Sequence, residues 1–173
     1  MLKKGLLVFL ILVTTGCSSM NLKDFSNNQP EFKIEEYFLG KTSASGLFID
    51  FFGKVKRQFT VEMEGIQEGD IFILNETFLY DDGEEEFRRW EITKTSDTTY
   101  EGNSTDIKGI AQGERSGNAI NWHYTLKLKY GDGILLVKFD DWLIMQDKKR
   151  VFNKATMKKF GVPLGNVYLF FTK

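Results

Sequence analysis

The stretch INWHYTLKLKYGDGILLVKFDDWLIM, residues 120–145, decides the fold. Ile120, Trp122, Tyr124, Leu126, Leu128 and Tyr130 share one face, while Asn121, His123, Thr125, Lys127 and Lys129 share the other. A period of two is that of a β-strand with one wet side. Gly131-Asp132-Gly133 is a short Gly-containing loop of the hairpin type, and Ile134 to Met145 runs back.

Upstream, Val55, Arg57, Phe59, Val61 and Met63 alternate with Lys56, Gln58, Thr60, Glu62 and Glu64. Ile71 to Tyr80 is an apolar stretch punctuated by Gly65–Gly69 before it and Asp81-Asp82-Gly83 after it. Phe87–Thr93, Thr99–Asn103 and Lys108–Ala111 are shorter strand candidates. Val167–Phe171 is an uncharged apolar run, expected to be covered on both sides. Long helices are not expected. Glu35–Leu39 reads as a short one, and Asn153–Phe160, closed by Gly161 and Pro163, reads as a short helix or a further strand. About nine strands at hairpin spacing imply an all-β sandwich or closed barrel. An antiparallel up-and-down barrel is favoured, because long open edges invite aggregation.

Composition narrows the chemistry. A chain of 173 residues with 42% hydrophobic and 27% charged residues is one domain's worth, able to bury a core. One Cys excludes an intrachain disulfide framework and a Cys-rich zinc site; one His excludes a two-His metal clamp. A formal charge of −1 gives no footprint for nucleic acid.

The amino end carries an address. Lys3 and Lys4 precede an unbroken apolar run from Leu6 to Val13, then Thr14-Thr15-Gly16-Cys17. Eight apolar residues rise only ~12 Å as a helix, far short of a ~30 Å hydrocarbon core. Lysines, a short apolar run and small residues form a secretory signal. Thr15-Gly16-Cys17 resembles the lipobox of bacterial lipoproteins, in which the Cys is acylated and becomes the new amino terminus; Thr14 stands where that pattern prefers Leu. Ser18, where Asp resembles the inner-membrane retention signal, favours the outer membrane. Residues 1–16 thus read as a signal peptide, 17–31 as a lipidated tether rich in Ser, Asn and Gln, and 32–173 as a single barrel domain. Cleavage removes two lysines and moves the formal charge from −1 to −3. Such a body is not built to lie on anionic lipid by net charge.

Catalytic patterns fail one after another. There is no Gly-x-Ser-x-Gly elbow, phosphate loop or EF-hand spacing. His123 falls on the polar row of its strand and reads as a surface side chain, which argues against an axial haem ligand inside the barrel. Asp140 and Asp141 are adjacent on a strand, point to opposite faces and cannot share a proton. The acids Asp81, Asp82, Glu84, Glu85 and Glu86 crowd one turn and read as a solvated hairpin tip.

The inward rows are more informative. Arg57 lies on the Val55 row, Glu76 on the row Phe72, Leu74, Phe78, Tyr80, Arg88 with Trp90 and Ile92, and Asp141 with Leu135, Val137, Phe139, Leu143 and Met145. Charges on apolar rows must be paired. Two readings follow: internal ion pairs that fix strand register, with Asp141 in one of them, or polar anchors in a ligand cavity. In the second, Phe59, Val61, Met63, Trp90, Trp122, Tyr124, Leu126 and Phe139 line the cavity, and Arg57, Glu76, Arg88 and Asp141 orient a head group.

A family resemblance covers nearly all of the chain after Cys17. The segments Phe48-Ile49-Asp50-Phe51-Phe52-Gly53-Lys54-Val55, Tyr80-Asp81-Asp82-Gly83-Glu84, Arg89-Trp90, Tyr100-Glu101-Gly102, Gly117-Asn118-Ala119, Phe139-Asp140-Asp141-Trp142 and Lys159-Phe160-Gly161 resemble the DUF3833 family of bacterial lipoproteins. The resemblance implies a lipocalin-like barrel, although the lipocalin Gly-x-Trp signature is replaced by Gly46-Leu47-Phe48. The expected protein is a non-enzymatic lipoprotein, held at the periplasmic face of the outer membrane by Cys17. It would need no cofactor and bind a lipid or other apolar envelope molecule in its lumen. The alternative is a solid barrel acting as an interaction module, with Trp142 on its outer face unless the chain's own terminal segment covers it.

Overall fold

Ten antiparallel strands close into one barrel in the order β1-β10-β9-β8-β7-β6-β5-β4-β3-β2, each strand hydrogen-bonded to its sequence neighbour and β1 to β10. The computed structural model describes residues 20–173; residues 1–16, read as a signal peptide, and Cys17 lie outside the described residues. The strands are β1 (Gly40–Asp50), β2 (Val55–Glu68), β3 (Ile71–Tyr80), β4 (Glu85–Lys94), β5 (Thr99–Asn103), β6 (Ala111–Ser116), β7 (Ala119–Tyr130), β8 (Gly133–Met145), β9 (Arg150–Lys159) and β10 (Val162–Thr172). The all-β up-and-down barrel expected from the sequence is the observed fold; among the described residues the only helical pieces are a four-residue helix α1 (Ile34–Tyr37) and a 3-10 turn at Leu22–Phe25.

Three details differ from the sequence reading, and one alternative it left open is resolved. The strands number ten, because β1 was not foreseen. Its inward positions include Thr42, Ala44 and Gly46, and such small residues give little hydrophobic signal. Gly46 has to be small, since a Cβ there would lie 2.8 Å from the Phe59 ring. The ambiguous segment 153–160 is strand: Val151, Asn153, Ala155 and Met157 are buried in alternation with more open neighbours. Lys108–Ile110 is loop, and the strand begins at Ala111. Val167–Phe171 is not covered on both sides, for a barrel has a single wall: Phe171 is buried while Phe170 points outward.

A meander puts every odd-to-even turn at one end and every even-to-odd turn at the other. The second end is closed. Phe32, Tyr37 and Phe38 pack edge-on or tilted with centroids 4.9–6.3 Å apart, and Phe38 reaches Phe171 of β10 at 5.5 Å. The carbonyls of Glu36, Tyr37 and Leu39 accept bonds from Lys173 Nζ at 2.6–3.2 Å, so the last residue of the chain caps α1. Tyr37 Oη donates to the Lys149 carbonyl at 2.9 Å in the β8–β9 turn. Plugging this end stabilises the fold through buried aromatic area and leaves the lumen one mouth.

Candidate functional site

The lumen above this floor is a cavity of about 780 Å³, open at the β1–β2, β3–β4 and β7–β8 end. That volume lies within the roughly 300–1,000 Å³ range of small-molecule sites. Its floor includes Ile34, Phe38 and Phe171, and its walls carry Phe59, Val61, Trp90, Trp122, Tyr124, Leu126 and Phe139 from the inward rows of β2, β4, β7 and β8. Tyr124 and Phe139, opposite each other on β7 and β8, stack at 4.9 Å and 8°. Trp90 meets Tyr124 edge-on at 5.6 Å. Met63 departs from the expected lining. It is 3% exposed and sits in the packed cluster that also holds Phe32, Tyr37 and Phe38, not in the cavity wall.

Arg57, Glu76, Arg88 and Asp141 all face the cavity, but not as two ion pairs. Arg57 sits at the rim, 3.5 Å over the Tyr80 ring, and its Nη2 donates to Asp82 and Glu84 of the acidic turn at 3.1 and 2.8 Å. The acidic turn is therefore partly tied to a lumen residue. Arg88 holds a double partnership deeper in: Nε to Asp106 Oδ2 at 2.7 Å and Nη1 to Glu76 Oε2 at 3.8 Å. Burial opposes its charge, but Glu76 and Asp106 more than offset this, and the guanidinium stays protonated well above its ordinary range.

Asp141 overturns the ion-pair expectation. Among the described residues no cation pairs with it; it accepts from Tyr124 Oη at 3.3 Å and from Asn153 Nδ2. Burial pushes its carboxyl up to about 6 against those two bonds. Burial also pushes Glu76 up to about 7, since Arg88 at 3.8 Å repays only part of the lost hydration. Two polar members were missed in the sequence. Asp106 lies in the irregular β5–β6 connection, where no alternation betrays its direction, and its Oδ1 is buried without a partner. Asn153 lay in the segment of ambiguous period.

Residues assigned to the outer face lie on it, one of them covered. The His123 side chain is open, with Nδ1 3.8 Å from Asp140, and Asp140 points outward to accept from Asn121 Nδ2 at 2.9 Å. Trp142 is on the outer face, yet only 8% exposed, because Phe25 of the N-terminal 3-10 turn lies over it at 5.9 Å. Among the described residues no group of three or more His, Cys, Asp or Glu is placed to hold a metal, and no helix is long and apolar enough to cross a membrane.

A closed antiparallel barrel with one mouth and a mostly apolar lumen defines a lipocalin-like protein. The chain belongs to DUF3833, a protein family of unknown function, whose model matches residues 11–173. No curated protein matches. Among solved structures the fold is similar to that of the S-type phycobiliprotein lyase CPES from Guillardia theta, at 8% sequence identity and a TM-score of 0.62, covering 90% of this chain and 98% of that one.

Proposed function

We propose that this protein is a non-enzymatic carrier of the bacterial envelope, anchored at the periplasmic face of the outer membrane through acylated Cys17, that takes an apolar or amphipathic molecule into its barrel. The observation that carries this reading is the open lumen of about 780 Å³, with aromatic walls and a small number of charged groups set among them. A solid barrel would favour the interaction module, and Trp142, the surface residue for that module, is occupied by the chain's own Phe25. The likeness to a phycobiliprotein lyase supports a barrel that takes up an organic group. The anchor rests on the leader and on the lipobox-like Thr15-Gly16-Cys17.

The polar groups of the lumen constrain the cargo. Three carboxylates, Glu76, Asp106 and Asp141, face one deep cation, Arg88. Among the described residues Asp141 has no paired cation and Asp106 Oδ1 no partner. A head group bearing hydrogen-bond donors or positive charge complements this set. Native mass spectrometry of the protein purified gently from its own host tests the reading. A stoichiometric amphiphile is expected; a bare polypeptide mass, together with no uptake of the neutral fluorescent probe N-phenyl-1-naphthylamine, overturns it.

A further inference from the structure

The mouth is ringed by side chains that no soluble surface needs. Phe51 and Phe52 in the β1–β2 turn, Tyr130 and Ile134 at the β7–β8 turn, and Phe160 and Val162 at the β9–β10 turn are 62–93% exposed. Single exposed apolar residues are ordinary, but these six are among the seven most exposed large hydrophobics of the described residues, and their concentration on three turns at one end of a barrel marks a contact surface; the seventh, Phe87, stands alone beside the acidic β3–β4 turn. Because β10 and β9 lie between β1 and β8 in the sheet, these three turns are neighbours around the rim.

Charge follows the same division. Lys54, Lys56, Lys127, Lys129, Lys158 and Lys159 flank the three apolar turns, against Asp50 and Asp132. Asp50 is engaged locally: its Oδ1 accepts from the Phe52 and Lys54 amides at 2.9 and 3.0 Å, and its Oδ2 lies 3.8 Å from Lys56. That turn is thereby fixed, with Phe51 and Phe52 packed edge-on at 5.8 Å. The acids Asp81 to Glu86 gather at the β3–β4 turn, elsewhere on the rim. A formal charge of −1 over the whole chain conceals this polarity.

We infer that the apolar, basic part of the rim docks on an anionic lipid bilayer. Aromatic tips with adjacent lysines are the composition that settles at the headgroup level, and the acidic turn tilts away from such a surface. Lys56, Lys129 and Tyr130 belong both to this rim and to the lumen wall, so the docked face is continuous with the cavity. A molecule dissolved in the bilayer then enters the barrel without crossing water. The docking stands on the rim alone; its use as a loading step rests on the carrier reading.

The two ends of the molecule also part company. The first described residues pack at the closed end, where Phe25 contacts Trp142 and its carbonyl accepts from the Asn28 amide beside the Gly117 turn. From Leu22 back to Cys17 the chain reaches at most about 17 Å, whereas β8 alone spans roughly 30 Å along a barrel axis at ordinary tilt. An anchor at Cys17 therefore turns the rim away from its own bilayer and towards another.

Bromolipid quenching of a reporter tryptophan tests the docking. The full chain carrying Cys17→Ser receives Phe52→Trp, Phe160→Trp or, at the closed end, Asp70→Trp, and is mixed with phosphatidylcholine vesicles with or without phosphatidylglycerol. Emission relative to the parent, corrected for the three native tryptophans, is expected to be quenched at 52 and 160, more so with phosphatidylglycerol, and not at 70. Lys54→Glu, Lys129→Glu and Lys159→Glu should each weaken the apparent affinity at least about fivefold. No quenching at 52 and 160 on anionic vesicles, or equal quenching at 70, overturns the inference. Uptake of N-phenyl-1-naphthylamine by the same variants shows that the barrel is folded. Its failure in the parent chain would instead strike the carrier reading and leave the docking result standing.

Discussion

Arg88 Nε donates to Asp106 Oδ2 at 2.7 Å, joining the wall strand β4 to the irregular β5–β6 connection beside it. The same guanidinium lies 3.8 Å from Glu76, so one cation serves two carboxylates in a partly dry site. Arg88→Met strands both acids and is expected to cost about 3–5 kcal/mol. Arg88→Met combined with Glu76→Leu should recover part of that loss, because one stranded charge is gone. Urea midpoints at constant m-value read both effects; no recovery in the double variant would show that Glu76 is not coupled to Arg88.

Glu76 and Asp141 make stability fall as pH rises. Their carboxyls, pushed up to about 7 and about 6, hold protons in the folded chain at pH values where the unfolded chain has released them. The native state binds more protons, so unfolding free energy decreases from about pH 4 to pH 7 and levels off above. Asn at 141 can still accept from Asn153 while its amide donates to the Tyr124 hydroxyl. Asp141→Asn is therefore expected to stabilise the protein at pH 8, by about 1–3 kcal/mol, and to do little at pH 4. Melting curves at the two pH values check the sign; a loss of stability at pH 8 would mean that the ionised carboxylate has a partner supplied by the fold.

The strands with residues 55–64 and 119–130 were legible because large apolar and polar side chains alternate on them, and those at 71–80 and 134–145 because apolar stretches are bounded by turn residues. β1 was hidden by the small inward residues that leave room for Phe59, and a short apolar run such as Val167–Phe171 does not reveal how many of its sides are covered. The inward placement of Arg57, Glu76, Arg88 and Asp141 followed from strand period alone, but their pairing did not. Partners are fixed by register between strands and by loops: Asp106 reaches Arg88 from a connection with no period at all, and Asn153 reaches Asp141 from the neighbouring strand.

Trp122 rests against two glycines. It is paired directly with Gly113 of β6, where a Cβ would fall 2.9 Å from the indole, and Gly102 of β5 offers a second close approach at 3.3 Å. Trp122→Ala should cost about 3 kcal/mol, the lower end for a buried aromatic because the space opens onto the lumen. Gly113→Ala is expected to cost about 1–3 kcal/mol through overpacking. His123→Ala, one residue along on the open face, should stay within about 0.5 kcal/mol. Equal midpoints for the variants at 122 and 123 would contradict the inward facing of Trp122.

Acylation at Cys17 is tested by metabolic palmitate labelling. The thioether needs the thiol, so Cys17→Ser is expected to abolish incorporation and release the barrel from the membrane fraction. Undiminished label in this variant would remove the anchor from the proposed function while leaving the lumen reading intact.

Cargo charge should matter more than chain length. With Glu76, Asp106 and Asp141 around Arg88, acids outnumber the deep cation, and the lumen gains a further negative charge as Glu76 loses its proton above about pH 7. Dodecylamine, a cation with a twelve-carbon tail, should displace N-phenyl-1-naphthylamine more effectively than dodecanoate. The gap should widen from pH 6 to pH 8, because ionisation of Glu76 attracts the amine and repels the carboxylate. A charge-assisted hydrogen bond contributes roughly 1.5–3 kcal/mol, which corresponds to about ten- to a hundredfold in affinity. Glu76→Gln should flatten the pH dependence, and Asp141→Asn should weaken the amine alone. Dodecanoate binding more tightly at pH 8 would assign the head-group role to Arg57 and Arg88 instead, and place the carboxylates as their structural partners.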